Sequence, residues 1–205
     1  FLISVGLVGY VPPLEELENP KNKLATEIYS SDNQVLGTFY SGKDNRMKTT
    51  YDELSPNLIN ALIATEDIRF YKHSGVDGKA LLRAILSFGG GGGASTITQQ
   101  TAKLLYTNRS GNIFKRIPQK LNEWVIAIRL EKLFTKEEIM SLYFNKFDFL
   151  NNAVGIKTAS KVYFNTTPDK LTIPQAALLV GMCKNPSLYN PASRREATRQ
   201  RALDR

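Results

Sequence analysis

ATEDIRFYKHSGVD, residues 64–77, is the stretch from which the chain is best read. It sets one carboxylate, Glu66, at the end of the nearly uncharged run LINALIAT (58–65), with Asp67, Arg69, His73 and Asp77 close behind. A glutamate so placed is partly desolvated, a setting that suits a general base. Taken alone it reads as well as a helix-end glutamate bonded to a nearby arginine or amide, because structural ion pairs perturb carboxylates too. The reading turns on two further polar clusters, GASTITQQTAK (93–103) and QKLNEW (119–124).

Outward from that stretch, the pattern is mostly helical. Ser55 and Pro56 suit an N-cap and first turn, and predict a helix from there to about residue 71. Asp77 caps a second helix, GKALLRAILSF, with Leu81, Leu82, Ile85 and Leu86 on one side. Five glycines (89–93) cannot sit inside a helix and read as a loop, either a mobile gate or a plain spacer. The helix STITQQTAKLLY follows, then a polar basic segment and a long helix ending near Phe134, with Pro118 in its first turn or kinking it. Thr135 with Glu138, and Thr172 with Gln175, form capping boxes for KEEIMSLYFN and IPQAALLVGMCK. Asn152 is expected to cap AVGIKTASKVYF, and ASRREATRQRALDR reads as a basic helix. Before residue 50, Asp32-Asn33 between ATEIYSS and QVLGTFYS predicts a β-hairpin at about 25–41, and Arg46 to Thr50 a short strand.

The bulk numbers agree with a globular domain. Of 205 residues, 42% are hydrophobic and 22% charged, which excludes disorder and coiled coil. A net charge of +8 implies an anionic partner: nucleic acid, a phosphate-bearing ligand or an acidic lipid surface. The single cysteine, Cys183, lies in an apolar run and reads as a small buried side chain. FLISVGLVGYV (1–11) is apolar but shorter than the roughly 20 residues that cross a bilayer. It is expected to be the exit end of a transmembrane helix, with a signal-peptide core or a buried strand as rivals. Residues 12–23 read as a juxtamembrane linker, so that 12–49 hold linker and hairpin.

Together the polar clusters resemble, in order, the motifs of glycosyltransferase family 51, the peptidoglycan glycosyltransferase domain of class A penicillin-binding proteins. ATEDIRFYKHSGVD looks like its first motif, a Glu-Asp followed by Phe70, His73-x-Gly75 and Asp. GASTITQQ is similar to the second, QKLNE to the third, and KEEIMSLYFN, with Gly155 after it, to the fourth. RREATRQRAL is a looser match to the fifth. The resemblance covers about residues 50–205 and implies a lysozyme-like helical domain with a smaller membrane-facing lobe. It implies polymerisation of lipid II, with Glu66 as general base toward a sugar 4-hydroxyl and inversion at the anomeric carbon that leaves undecaprenyl pyrophosphate.

By motif position, Arg83, Lys103 and Lys120 should approach the phosphates, with Lys115 and Arg116 beside them, while Ser95, Thr98, Gln99 and Gln100 offer uncharged hydrogen bonds. Glu123 maps to the family's second glutamate, where it would hold Mg2+ or Mn2+ or orient a basic residue. Asp67, His73, Tyr143 and Asn145 fall in motifs as scaffolding. The implied partners are lipid II, the nascent glycan strand, the membrane, a C-terminal transpeptidase domain and other cell-wall synthesis proteins; nucleic acid is not among them. The implied place is the outer face of the cytoplasmic membrane, held by a single pass, and moenomycin is the inhibitor expected to compete.

Two departures stand out. Where the third motif usually has a basic pair and no proline, Gln119 stands beside Lys120 and Pro118 precedes them, and KFDFLNNAVG replaces a Tyr-Phe-Gly segment, so a rearranged loop is expected at 148–153. The competing readings are a lytic transglycosylase or lysozyme-type hydrolase, which needs no phosphate-binding cations, and a non-catalytic module for anionic lipid or nucleic acid.

Overall fold

Apolar spacing and capping residues account for most of the elements found. The computed structural model describes residues 11–18, 26–39, 48–87, 93–106 and 113–192. Within them the chain is mainly helical. A short helix α1 (Leu14–Glu18) precedes the strands β1 (Thr26–Tyr29) and β2 (Val35–Phe39), which pair antiparallel with Thr26 opposite Phe39. There follow α2 (Pro56–Glu66), α3 (Gly78–Leu86), α4 (Ile97–Tyr106), α5 (Ile113–Leu133), α6 (Lys136–Lys146), α7 (Ile156–Phe164), α8 (Ile173–Lys184) and α9 (Pro186–Tyr189). The chain forms two units, residues 1–21 with 63–143, and residues 22–62 with 144–205, and passes between them inside α2 and α6.

In the first unit, Leu17 of α1, Ala102 of α4 and Ile126, Ala127 and Leu130 of α5 bury one another. The described part of the expected linker, residues 12–18, is therefore packed rather than a plain connection. Leu17 has apolar surface to bury, and the flanking backbone is satisfied: the Tyr106 hydroxyl donates to Glu16 O at 3.1 Å and Arg129 to Pro12 O at 3.3 Å. Nor does α2 run to residue 71. It stops at Glu66, and the chain tightens into a 3-10 turn at Phe70–Lys72, where the Phe70 amide donates to Asp67 O at 2.9 Å. Asp77 caps α3, accepting from the amides of Lys79 and Ala80. Pro118 lies inside α5, past its first turn, and leaves the carbonyl four residues earlier without its helical donor.

In the second unit, Ser55 Oγ accepts from the Leu58 amide at 3.2 Å to start α2. Leu58, Leu62, Phe144, Phe149, Ile156, Leu179 and Met182 are fully buried, and Cys183 is buried with them. Thr172 and Gln175 make the capping box that opens α8. The expected strand at 46–50 is absent from its described part, residues 48–50. There Asn145 of α6 accepts from Thr49 N at 2.9 Å and donates to Thr49 O at 2.8 Å, using up the backbone groups a ladder would need. The helix after residue 152 begins at Ile156 with Gly155 as its cap, not Asn152. Leu150, Asn151 and Asn152 are all left-handed, with φ of 63°, 49° and 59°, so the chain must first turn back. A Cβ on Gly155 would meet Asn145 O at 3.1 Å, which is why glycine is needed there.

No helix among the described residues is long and apolar enough to cross a membrane. The apolar residues 1–10, glycines 89–92 and the Arg-rich end, 193–205, lie outside the described residues.

Candidate active site

Helical arithmetic on α5 lays out the site. Glu123, Ala127 and Glu131 are spaced four apart and share one face. All three lie toward the interior, Ala127 completely so and the two glutamate side chains 7% exposed. A buried carboxylate needs a cation or donors. Each glutamate has a lysine: Lys120 Nζ is 3.0 Å from Glu123 Oε2, and Lys136 Nζ is 2.7 Å from Glu131 Oε1. Each pair also connects to residues 95–98, at and just before the start of α4. Lys120 donates to Ser95 Oγ at 2.9 Å, while the Thr98 hydroxyl donates directly to Glu131 at 2.5 Å.

The stretch 64–77 is tied to the same segment. Asp67 is buried, and its Oδ2 accepts from the Ile97 amide at 3.0 Å and from His73 Nε2 at 2.9 Å. It thus supplies a negative group to the positive start of α4. Thr96 Oγ1 accepts from the Gln99 amide at 3.1 Å and donates to Gly75 O at 2.6 Å. Gly75 has φ +92°, and a Cβ there would strike the Ala127 carbonyl at 2.9 Å, so the backbone touches α5 where only glycine fits. Lys136 closes the circuit, donating to His73 O at 2.7 Å and lying 4.5 Å above the buried Phe70 ring. Arg69 grips Asp77 through two bonds of 2.8 and 2.7 Å. Burial pushes the Asp77 pKa up, but the Ala80 amide and the Arg69 guanidinium outweigh it and hold the carboxyl below its usual range.

Glu66 stands at the end of α2, half-buried, and Gln100 Nε2 donates to its Oε2 at 2.9 Å. Both carboxylates singled out from sequence are therefore reached from one segment, Glu66 through Gln100 and Glu123 through Ser95 and Lys120. The charge paired with Glu123 is a lysine. Among the described residues no three of His, Cys, Asp and Glu come together as a metal centre. Glu123 still has one carboxylate oxygen without a hydrogen bond to a described residue, a single oxygen donor of the kind that Mg2+ or Mn2+ takes.

A model of the transglycosylase family matches residues 32–204. The chain belongs to the transglycosylase family. It is 39% identical over 202 residues to penicillin-binding protein 1A of Neisseria flavescens, covering 93% of this chain and 25% of that protein. It is 36% identical over 214 residues to penicillin-binding protein 1A of Escherichia coli K12, covering 97% of this chain and 24% of that one. This transglycosylase chain thus spans about a quarter of the length of those relatives.

In this transglycosylase, not every residue expected to meet substrate lies where substrate can reach. Thr98 and Gln99 are interior, at 0% and 1% exposure. Thr98 is spent on Glu131 of α5, and of the four uncharged side chains Ser95 and Gln100 are the ones partly open to solvent. Lys103 is half-buried and Arg83 exposed, and neither forms an ion pair with a described residue. Arg83 lines a shallow depression with Lys79, Leu82, Leu86 and Ser87. Of Lys115 and Arg116 only the backbone, in α5, is described. Glu131 and Lys136 escaped the sequence reading altogether. The signal was present in the Glu-x3-Ala-x3-Glu spacing, which puts a second acid on a buried stripe where it must have a partner.

Proposed function

We propose that this chain is a peptidoglycan glycosyltransferase that polymerises lipid II into β-1,4-linked glycan strands. What carries the reading is the joining of two unlike sites by residues 95–100: a half-buried carboxylate at Glu66, and an ammonium at Lys120 held between Ser95 and Glu123. Glu66 takes the proton from the acceptor sugar's 4-hydroxyl. The oxygen attacks the anomeric carbon of the growing chain from the face opposite its pyrophosphate. That C–O bond breaks as the new one forms, which inverts an α linkage to β. Lys120, Lys103 and Arg83 neutralise the departing undecaprenyl pyrophosphate. Glu123 holds Lys120 in place; it would also be the residue to hold a Mg2+ or Mn2+ ion, which would supply further charge neutralisation. A polymerisation rate unchanged by chelation and by added metal would remove that ion from the scheme. Glycan cleavage fits less well, since it calls for an acid at the leaving oxygen and the second carboxylate here is paired with a lysine.

The same reading makes the fold lysozyme-like, with the part carrying α3 facing the bilayer. Leu82, Ile85 and Leu86 are exposed there beside Arg83 and Lys79. It places the domain on the outer face of the cytoplasmic membrane, anchored through residues 1–11 and working with a transpeptidase domain and other cell-wall synthesis proteins. Labelled lipid II tests the central claim. Glu66→Gln is expected to lower polymerisation by about 10²–10⁴-fold while lipid II still binds, and activity near that of the unaltered chain would remove the base.

A further inference from the structure

Gln100 is bonded at both ends of its amide. Nε2 donates to Glu66 Oε2 at 2.9 Å, and Oε1 accepts from the Tyr143 hydroxyl at 3.3 Å. Tyr143 belongs to α6 and is completely buried, so packing fixes its ring before any substrate arrives. Gln100 is half-exposed and has three rotatable bonds of its own. A carboxylate only accepts hydrogen bonds, so the amide must turn its NH2 toward Glu66 and its oxygen away. The oxygen then needs a donor on the interior side, and the phenol supplies it. Without the hydroxyl, Oε1 would face an apolar ring, an unpaired acceptor that solvation would draw outward, taking the NH2 away from Glu66.

We propose that Tyr143 is a positioning residue for the base, acting through Gln100. The relay Tyr143–Gln100–Glu66 pins one carboxylate oxygen and leaves the other, which has no hydrogen bond to a described residue, aimed at the acceptor hydroxyl. The proton moves from that hydroxyl to the free oxygen of Glu66; neither Gln100 nor Tyr143 gains or loses one. The proposal rests on reading Glu66 as the general base, and it changes the role of Gln100 from substrate ligand to orienting group.

The test is steady-state polymerisation of lipid II by the purified chain in detergent. Gln100→Met keeps the side-chain length and removes the amide; it is expected to lower kcat about tenfold or more with KM little changed, the loss of one hydrogen bond to a charged group. Tyr143→Phe should lower kcat about three- to tenfold, again at constant KM. The double variant should be no slower than Gln100→Met, because the phenol reaches Glu66 through the amide. A rise in KM for Gln100→Met would make the glutamine a substrate ligand and overturn the proposal. Multiplying losses in the double variant, or a Tyr143→Phe protein that is less stable yet turns over normally when folded, would overturn it too. Should Tyr143→Phe not fold, the split between kcat and KM in Gln100→Met decides alone. The unaltered chain and Glu66→Gln are run alongside. An inactive unaltered chain sinks the functional reading itself, whereas a normal chain with an inactive Glu66→Gln isolates the relay.

Discussion

At the residue scale, function and strain sit in different places. Side chains around Glu66 are tied to one another, Gln100 to Glu66 and His73 to Asp67, while backbone strain gathers at Leu150, Asn151 and Asn152, three successive left-handed residues without a glycine. A non-glycine side chain in that region costs roughly 1–2 kcal/mol, less for asparagine. Asn151 is held there, donating to Tyr163 Oη at 3.1 Å and to Asn190 Oδ1 at 3.2 Å, and Tyr163 in turn donates to Phe149 O at 2.6 Å. Asn152 is exposed and makes no side-chain bond to a described residue. Asn152→Gly is therefore expected to raise stability by about 0.5 kcal/mol and Asn152→Val to lower it by about 1–2 kcal/mol. Asn151→Gly should be destabilising, because its two bonds go with the side chain. Urea unfolding of the three variants checks this, and equal effects at 151 and 152 would refute it. The departure of this loop from the family pattern could be read in KFDFLNNAVG; the three left-handed residues could not, since their conformation is set by Tyr163 and Asn190 from farther along the chain.

At the scale of elements, what a sequence reveals depends on whether the signal is local. Both capping boxes, the Asp77 cap and the helix over 173–184 are decided within a few residues and appear as read, and the helix read over 95–106 appears with its start two residues later, at Ile97. The C-terminal end of α2 and the start of α7 were misplaced because distant groups decide them: the α4 amide and His73 capture Asp67, and contact with Asn145 demands Gly155. The same distinction hid the burial of Thr98 and Gln99, since Thr98 turns to Glu131 of α5, from farther along the chain. Asp77 gives a pH dependence at this scale. Its folded pKa lies below the ordinary 3.8, held down against burial by the Ala80 amide and Arg69. The carboxylate therefore adds stability above its unfolded value, and that stability is lost as pH falls through the lower folded value. Relative to Asp77→Asn, the unaltered chain should be more stable at about pH 6, and the gap should close toward about pH 2. A gap that does not change with pH would show that the cap works without its charge.

For the molecule as a whole, charge and apolar surface point to one partner. The net charge of +8 favours an anionic surface, and α3 offers Arg83 and Lys79 beside three exposed apolar side chains, Leu82, Ile85 and Leu86. Electrostatic attraction to acidic lipid fades within a Debye length, about 10 Å at 0.1 M salt and about 3 Å at 1 M, whereas apolar insertion does not. The two contributions can therefore be separated. Binding to vesicles containing phosphatidylglycerol should weaken as salt rises from about 0.1 M to about 1 M, but a residue of binding should persist. Leu82→Asp with Leu86→Asp, both on exposed positions and so harmless to folding, should abolish the persistent part. Arg83→Ala with Lys79→Ala should instead flatten the salt dependence and spare it. If the aspartate pair binds at high salt as well as the unaltered chain does, α3 does not meet the bilayer, and the direction from which a lipid-linked sugar reaches Glu66 must be sought on another face.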